Sequence, residues 1–361
     1  MLEFLKKLFQ SQPKVTRLDV TKRFQLVSRV GQGSMSKVWR AIDGRTGKTV
    51  ALKLLDIDKT KRLESRFKGI KTPKPSEGEV AVKLNHPHIV KTYEFGITTN
   101  NEQYLVMEFV EGVSLSFLVD VQNEVMKRNR LRFMIELGEA IEYFHRQNWI
   151  HRDICPRNVI LDEEYSIKLI DFGLAKASFF EGMTATGLIM GTPEYMAPEQ
   201  VRGRSVDART DVFALSIVLW EMLTMRRLFQ GENEVDTIQR VKNCRIDADL
   251  REVNKEVDEE LDQIIKKGLA RDPKKRFKSA ADFEKELRRY MSRKHPDFTP
   301  EDLGNFLKKN MESRRNESAA DIKKTLTETN LKPGKAKTVS GKKRALDVDL
   351  EVKSGPAISL A

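Results

Sequence analysis

The sequence predicts an α+β fold of two unequal lobes, a small antiparallel β-sheet lobe with one helix followed by a larger, mainly helical lobe. Three observations lead there. From Phe24 to about Val106 the short runs QLVSRV, SKVWRAI, TVALKLL and QYLVMEF are separated by glycine-containing turns such as DGRTG, the pattern of strands joined by hairpins. From Glu124 onward the apolar spacing becomes helical, with Leu131, Ile135, Leu137, Ile141 and Phe144 on one face. The length of 361 residues accommodates about two folding units of roughly 100–200 residues. No repeat with a period of about 20–50 residues is present, which argues against a solenoid or propeller.

Taken in order, residues 1–22 form an amphipathic extension. In MLEFLKKLFQ the residues Met1, Leu2, Phe4, Leu5, Leu8 and Phe9 recur at helical spacing around Lys6 and Lys7. Residues 1–10 therefore suit a membrane surface, a partner's groove or a short helix packed on the protein itself. They lack the small-residue cleavage site of a secretory signal. No segment reaches the roughly 20 apolar residues that span a bilayer, and Val212 to Leu223 reads as a buried helix. The small lobe is placed at about 23–107 and the large lobe at about 111–290. Thr299 as N-cap, Pro300 and Asp302 then open an accessory helix over 299–314 carrying Leu303, Phe306 and Leu307. Residues 315–361 are expected to be a disordered basic tail, since KPGKAKTVSGKKR, Lys332 to Arg344, holds six basic residues and no acid.

Apolar residues at 39% and charged residues at 33% describe a soluble globular chain and exclude membrane and fibrous classes. Sixty-five Lys and Arg against 53 Asp and Glu leave a net charge of +12, which raises nucleic acid, anionic lipid or a phosphorylated ligand as partners. Part of that excess sits in the tail, which lacks interleaved aromatic residues, so nucleic acid is not expected as a partner. Two cysteines, Cys155 and Cys244, cannot build a disulfide framework, and a reducing, cytoplasmic location is expected.

Four segments carry chemistry and a fifth follows them. GQGSMSKV places Gly31 and Gly33 directly after a strand, where the lack of a side chain lets backbone amides approach phosphate oxygens. Lys53, in VALK, would set an ammonium on those phosphates. HRDICPRN puts Asp153 and Asn158 on one loop, and DFG follows with Asp171 eighteen residues beyond Asp153. Phosphoryl transfer needs divalent metal held by oxygen ligands and a carboxylate that orients the attacking hydroxyl. Asn158 and Asp171 supply the metal oxygens and Asp153 the base. MAPE, Met196 to Glu199, closes the segment.

Over roughly Phe24 to Tyr290 these motifs resemble the eukaryotic-type protein serine/threonine kinases, with HPHIV and GTPEYMAPEQ most similar to bacterial members. The resemblance implies the bilobal protein kinase fold, transfer of the γ-phosphoryl group of ATP to protein Ser/Thr hydroxyls, and Mg²⁺ or Mn²⁺ as cofactor. It puts Gly31, Gly33 and Val38 over the nucleotide, Ala51 against adenine and Lys53 on the α- and β-phosphates. Glu77, ten residues before Pro87, becomes the partner of Lys53, with Glu79 as the alternative. Met107 takes the gatekeeper position, and Glu108 to Val110 form the hinge whose main chain meets adenine. Asp211 would hold the catalytic loop's backbone, Glu199 and Arg276 would form the large lobe's ion pair, and Thr192 would orient the catalytic aspartate.

Three departures from the family pattern stand out. Ser36 replaces a third glycine of the phosphate loop. Pro73 and Pro75 crowd the start of the helix bearing Glu77, with Ser76 and Glu79 spaced as a capping box. Cys155 stands where these kinases usually carry a lysine, and Arg157, four residues after Asp153, is expected to take over its electrostatic role. Arg152 marks the class controlled by activation-loop phosphorylation, and Thr184 and Thr186 are the expected autophosphorylation sites. The competing reading is a pseudokinase that binds nucleotide or a partner without turnover.

Overall fold

A five-stranded antiparallel sheet in the order β1-β2-β3-β5-β4 forms the small lobe. In the computed structural model residues 17–32, 36–56, 77–121, 124–172 and 192–294 are described. A four-residue turn of helix, α1 (Val20–Arg23), leads into β1 (Phe24–Gln32), β2 (Ser36–Asp43) and β3 (Thr49–Leu55). The helix α2 (Glu77–Ala81) precedes β4 (Thr92–Ile97) and β5 (Gln103–Glu108).

The central strand β3 shows how alternation builds this lobe. Val50 and Leu52 fall in one apolar cluster with Phe24, Tyr104 and Val106, whereas Ala51 and Leu55 fall in another with Val80, Leu105 and Met107. Successive side chains of a strand face opposite sides, so Lys53 belongs with Ala51 and Leu55 on the face toward α2. Arg23 fastens the far side. Its Nε and Nη2 donate to Asp43 at 2.9 Å and its Nη1 to Glu94 at 2.8 Å, tying the start of β1 to the end of β2 and to β4.

The large lobe begins with β6 (Gly112–Ser114), α3 (Leu115–Asp120) and α4 (Glu124–Arg146), then β7 (Val159–Asp162) and β8 (Ile167–Leu169). Strands β6, β7 and β8 make a second antiparallel sheet. After α5 (Pro198–Val201) come α6 (Ala208–Thr224), α7 (Glu234–Asn243), α8 (Leu250–Val253), α9 (Glu259–Gly268) and α10 (Ala280–Lys294). Every residue of α6 from Thr210 to Leu223 is buried, the state of a helix that is apolar all round. It packs against α4, α9 and α10.

Two parts of this architecture go beyond the sequence reading. Strand β4, TYEFGI, lies on the sheet edge with Tyr93 and Phe95 exposed, so its pattern carries little burial signal. Strands β7 and β8 span only four and three residues, too short for periodicity to register. The proposed helices over 1–10 and 299–314 and the tail 315–361 lie outside the described residues. No helix among the described residues is long and apolar enough to cross a membrane.

Candidate active site

On the small-lobe side, pairing register sets the apolar wall. Val38 lies opposite Lys53, Ala51 opposite Met107 and Gly31 opposite Val38. Val38, Ala51, Met107, Phe109, Val110 and Ile170 share one apolar cluster. At the end of β5 the main chain is held by Glu108 N–H donating to the Lys91 carbonyl at 2.8 Å, and the Glu108 carboxylate pairs with Lys168 at 3.3 Å. Gly33 lies outside the described residues.

Lys53 Nζ donates to Glu77 Oε1 at 2.8 Å and reaches Asp171 Oδ1 at 3.3 Å. Burial pulls the ammonium's pKa down, but the carboxylates of Asp171 and Glu77 outweigh it and hold Lys53 above the usual lysine range. Glu77 is buried at the first position of α2, while Glu79 is exposed. Gly78 makes this approach sterically feasible: a Cβ there would lie 2.5 Å from Phe95 Cγ, so only glycine lets α2 sit this close to β4.

The large-lobe side is built around Asp211, fully buried near the start of α6. Its Oδ2 accepts from His151 N–H at 2.8 Å, its Oδ1 from Arg152 N–H at 2.8 Å, and His145 Nε2 lies 2.7 Å from Oδ2. Burial disfavours the charged carboxylate, yet the His145 hydrogen bond and the donors around it hold Asp211 below the ordinary aspartate value. Arg152 has φ +65°, a left-handed conformation that costs a non-glycine residue about 1 kcal/mol or more. The Asp211 bond to its N–H and the Gln200 Nε2 bond to its carbonyl at 3.3 Å hold that conformation in place.

From this fixed loop Asp153 donates its N–H to His151 Nδ1 at 3.3 Å. Asn158 Nδ2 donates to the Asp153 carbonyl at 2.9 Å and to its Oδ2 at 3.2 Å. The pairing of Val159 with Leu169 across β7 and β8, and Ile170 N–H donating to the Asn158 carbonyl at 2.9 Å, bring Asn158 beside the segment that carries Asp171. With its amide nitrogen turned to Asp153, Asn158 leaves its oxygen as the end suited to a cation. No group of three or more His, Cys, Asp and Glu side chains gathers as a metal cage among the described residues. One amide oxygen and one carboxylate fit Mg²⁺, which keeps several waters and takes further oxygens from phosphate.

Cys155 is buried, and burial together with the Asp153 carboxylate pushes its thiol up to about 11. It is a neutral filler at physiological pH. The exposed Arg157 donates from Nη2 to Thr192 Oγ1 at 2.7 Å, joining the catalytic loop to the segment before MAPE. Glu199 and Arg276 form a buried two-point pair at 2.7 and 2.8 Å, and Thr210 Oγ1 donates to Glu199 Oε1 at 3.0 Å. Thr184 and Thr186 lie outside the described residues.

The sequence reading passed over His145, His151 and Gln200, and also Tyr195, Glu221 and Arg227. The signal for Glu221 is a lone acid in the apolar run FALSIVLWEM, since a carboxylate in a buried helix requires donors.

Residues 24–287 match the family model described as protein kinase domain. The chain is 35% identical over 266 residues to a probable serine/threonine-protein kinase of Streptomyces coelicolor, covering 72% of this chain and 38% of that protein. It is 34% identical over 290 residues to the serine/threonine-protein kinase PknB of Mycolicibacterium smegmatis, 78% of this chain and 45% of that one. To the serine/threonine-protein kinase PrkC of Bacillus subtilis it is 32% identical over 272 residues, 74% and 40% of the two chains. The matches span less than half the length of these curated relatives. Because the family match opens at the first residue of β1, closes within α10 and takes in every element that carries the candidate site, the chain belongs to the protein kinase family.

Proposed function

We propose that this chain transfers the γ-phosphoryl group of ATP to serine and threonine hydroxyls of proteins. The observation that carries the reading is two short polar chains, Glu77 to Lys53 to Asp171 and Asn158 to Asp153, brought together where the Asn158 carbonyl accepts from Ile170 N–H next to Asp171. The names of the Streptomyces, Mycolicibacterium and Bacillus relatives support the same activity.

Adenine would lie against Val38, Ala51 and Met107 and meet the main chain of Glu108 to Val110. Lys53, positioned by Glu77, sets a permanent positive charge where the phosphates lie, since its raised pKa keeps it protonated across the physiological range. Asn158 and Asp171 would hold Mg²⁺ or Mn²⁺, which when bound neutralises phosphate charge. Asp153 accepts the hydrogen bond of the acceptor hydroxyl and takes its proton as the oxygen attacks. Arg157 supplies the cation that Cys155 cannot. Its bond to Thr192 holds the guanidinium between catalytic loop and acceptor segment.

Incorporation of labelled phosphate into the protein or a generic basic protein tests this, with Asp153→Asn expected to lower turnover by about 10²–10⁴-fold. Nucleotide binding without any transfer by the wild type would instead favour the scaffold reading. Autophosphorylation at Thr184 or Thr186 belongs to the same proposal, and phosphopeptide mapping after incubation with ATP and Mg²⁺ that finds neither would remove it.

A further inference from the structure

Glu221, near the end of α6, is a carboxylate with no solvent exposure and no contact with the cleft residues described above. A buried charge persists only when several donors satisfy it. Here they are Tyr195 OH at 2.6 Å, Leu228 N–H at 3.0 Å and Arg227 Nη1 at 3.1 Å. The helix ends at Met225, whose φ of +53° turns the chain back, and its N–H donates to the Glu221 carbonyl at 2.7 Å. That reversal returns Arg227 to Glu221.

Arg227 does more than neutralise this charge. Its Nη1 also donates to Tyr195 OH at 2.6 Å, while Nη2 points the other way, to Ser116 Oγ at 3.0 Å and Asp120 Oδ1 at 2.7 Å on α3. Tyr195 ends the turn Pro193–Tyr195 that follows Thr192, the residue tied to the catalytic loop by Arg157. Helix α3 follows β6, directly after the Glu108 to Val110 hinge. One planar guanidinium therefore has one nitrogen on the acceptor side and the other on the hinge side. A lysine, with a single nitrogen, cannot span both.

We propose that Arg227 is a positioning residue that couples α3 to the turn at Pro193–Tyr195 and so sets the place of the protein acceptor. The inference rests on the kinase reading above. A purely structural Arg227 would serve Glu221 alone, and the two roles separate at Asp120, whose side chain is 58% exposed. Asp120→Ala with Ser116→Ala removes both acceptors of the α3 arm and leaves the contacts to Tyr195 and Glu221 intact.

The test uses the full chain and two readouts. In the double variant the KM for an acceptor peptide should rise about fivefold while the KM for ATP stays within about twofold. Amide exchange across residues 192–201 should quicken by about tenfold. Arg227→Lys should recover the exchange protection of the segment only in part relative to Arg227→Met. Unchanged exchange in the double variant overturns the coupling, and faster exchange with an unaltered acceptor KM overturns the positioning role. A wild type that transfers no phosphate overturns the kinase reading instead, and the exchange measurement still decides the coupling.

Discussion

In the small lobe Lys53 and Glu77 meet through one 2.8 Å hydrogen bond, with Glu77 opening a helix described over only five residues. In the large lobe Asp211 and Glu199 each take three donors from the elements around them. Both arrangements bury charge, and the count of partners per carboxylate separates what they do. Asp211 and Glu199 are over-determined, so losing one donor leaves the rest of the network in place. Among the described residues the Lys53–Glu77 contact has no such redundancy. A small displacement of α2 would break it while the fold persists, because Lys53 keeps Asp171.

The sharpest way to break this comparison is to remove a multiply held carboxylate. Asp211→Ala strands the His151 and Arg152 N–H groups in the core and releases the left-handed backbone at Arg152. It should cost about 3–5 kcal/mol of stability by urea unfolding, the scale of an uncompensated break in a buried charge network. Because the folded pKa of Asp211 is lowered, its contribution is complete above the unfolded aspartate value of about 3.9. It is lost as pH falls through the lower folded value. Wild type and Asp211→Asn should therefore differ most at neutral pH and converge in strong acid. A variant as stable as wild type at pH 7 would refute the distinction.

Glu77→Gln should behave in the opposite sense. With Lys53 still beside Asp171, the melting temperature should move by no more than about 2 °C. If Lys53 holds the phosphates as proposed, its ammonium loses its fixed position and kcat/KM should drop by about 10–100-fold. Comparable losses of stability in Glu77→Gln and Asp211→Ala would erase the contrast between the lobes.

Arg157→Ala is next in size. The guanidinium is exposed and bonded to Thr192, so its loss should leave stability within about 0.5 kcal/mol. Turnover should fall by about tenfold, because one cation near the developing charge is removed. Near-normal turnover would show that phosphoryl transfer does not depend on the Arg157 cation.

What was legible in the sequence follows from the same physics. Lys53, Asp153, Asn158 and Asp171 stood out as candidates because the phosphoryl transfer proposed for the chain would need those residue types, and the hydrogen bonds Lys53–Asp171 and Asn158–Asp153 bring them together in two pairs. The antiparallel sheet was legible where the strand is buried, as in β3, whose two faces enter two apolar clusters, and illegible at β4, an edge strand with Tyr93 and Phe95 in solvent. The Arg227 bridge was out of reach for a different reason. Its partners stand at 116, 120, 195 and 221, and only the packing of α3, α6 and the turn at Pro193–Tyr195 brings them onto one guanidinium. A lone glutamate in an apolar helix signals that donors must exist, but a linear pattern does not say which.

The smallest expected effect concerns Cys155, which lies between Asp153, the proposed base, and the exposed Arg157 yet is only 1% exposed itself. Burial and the neighbouring Asp153 carboxylate raise the thiol to about 11, so near pH 8 almost none of it is thiolate, the form that reacts. Iodoacetamide at pH 8 should leave Cys155 unmodified in the folded protein and modify it once the chain is denatured, read by peptide mass spectrometry. Cys155→Ala removes one buried sulfur and should cost about 1 kcal/mol of stability, with turnover within about twofold since a neutral thiol carries no charge to the transferring phosphate. Rapid alkylation of the native protein, or a loss of turnover as large as that of Arg157→Ala, would place chemistry on the thiol and remove the division of labour in which Arg157 supplies the charge and Cys155 only fills space.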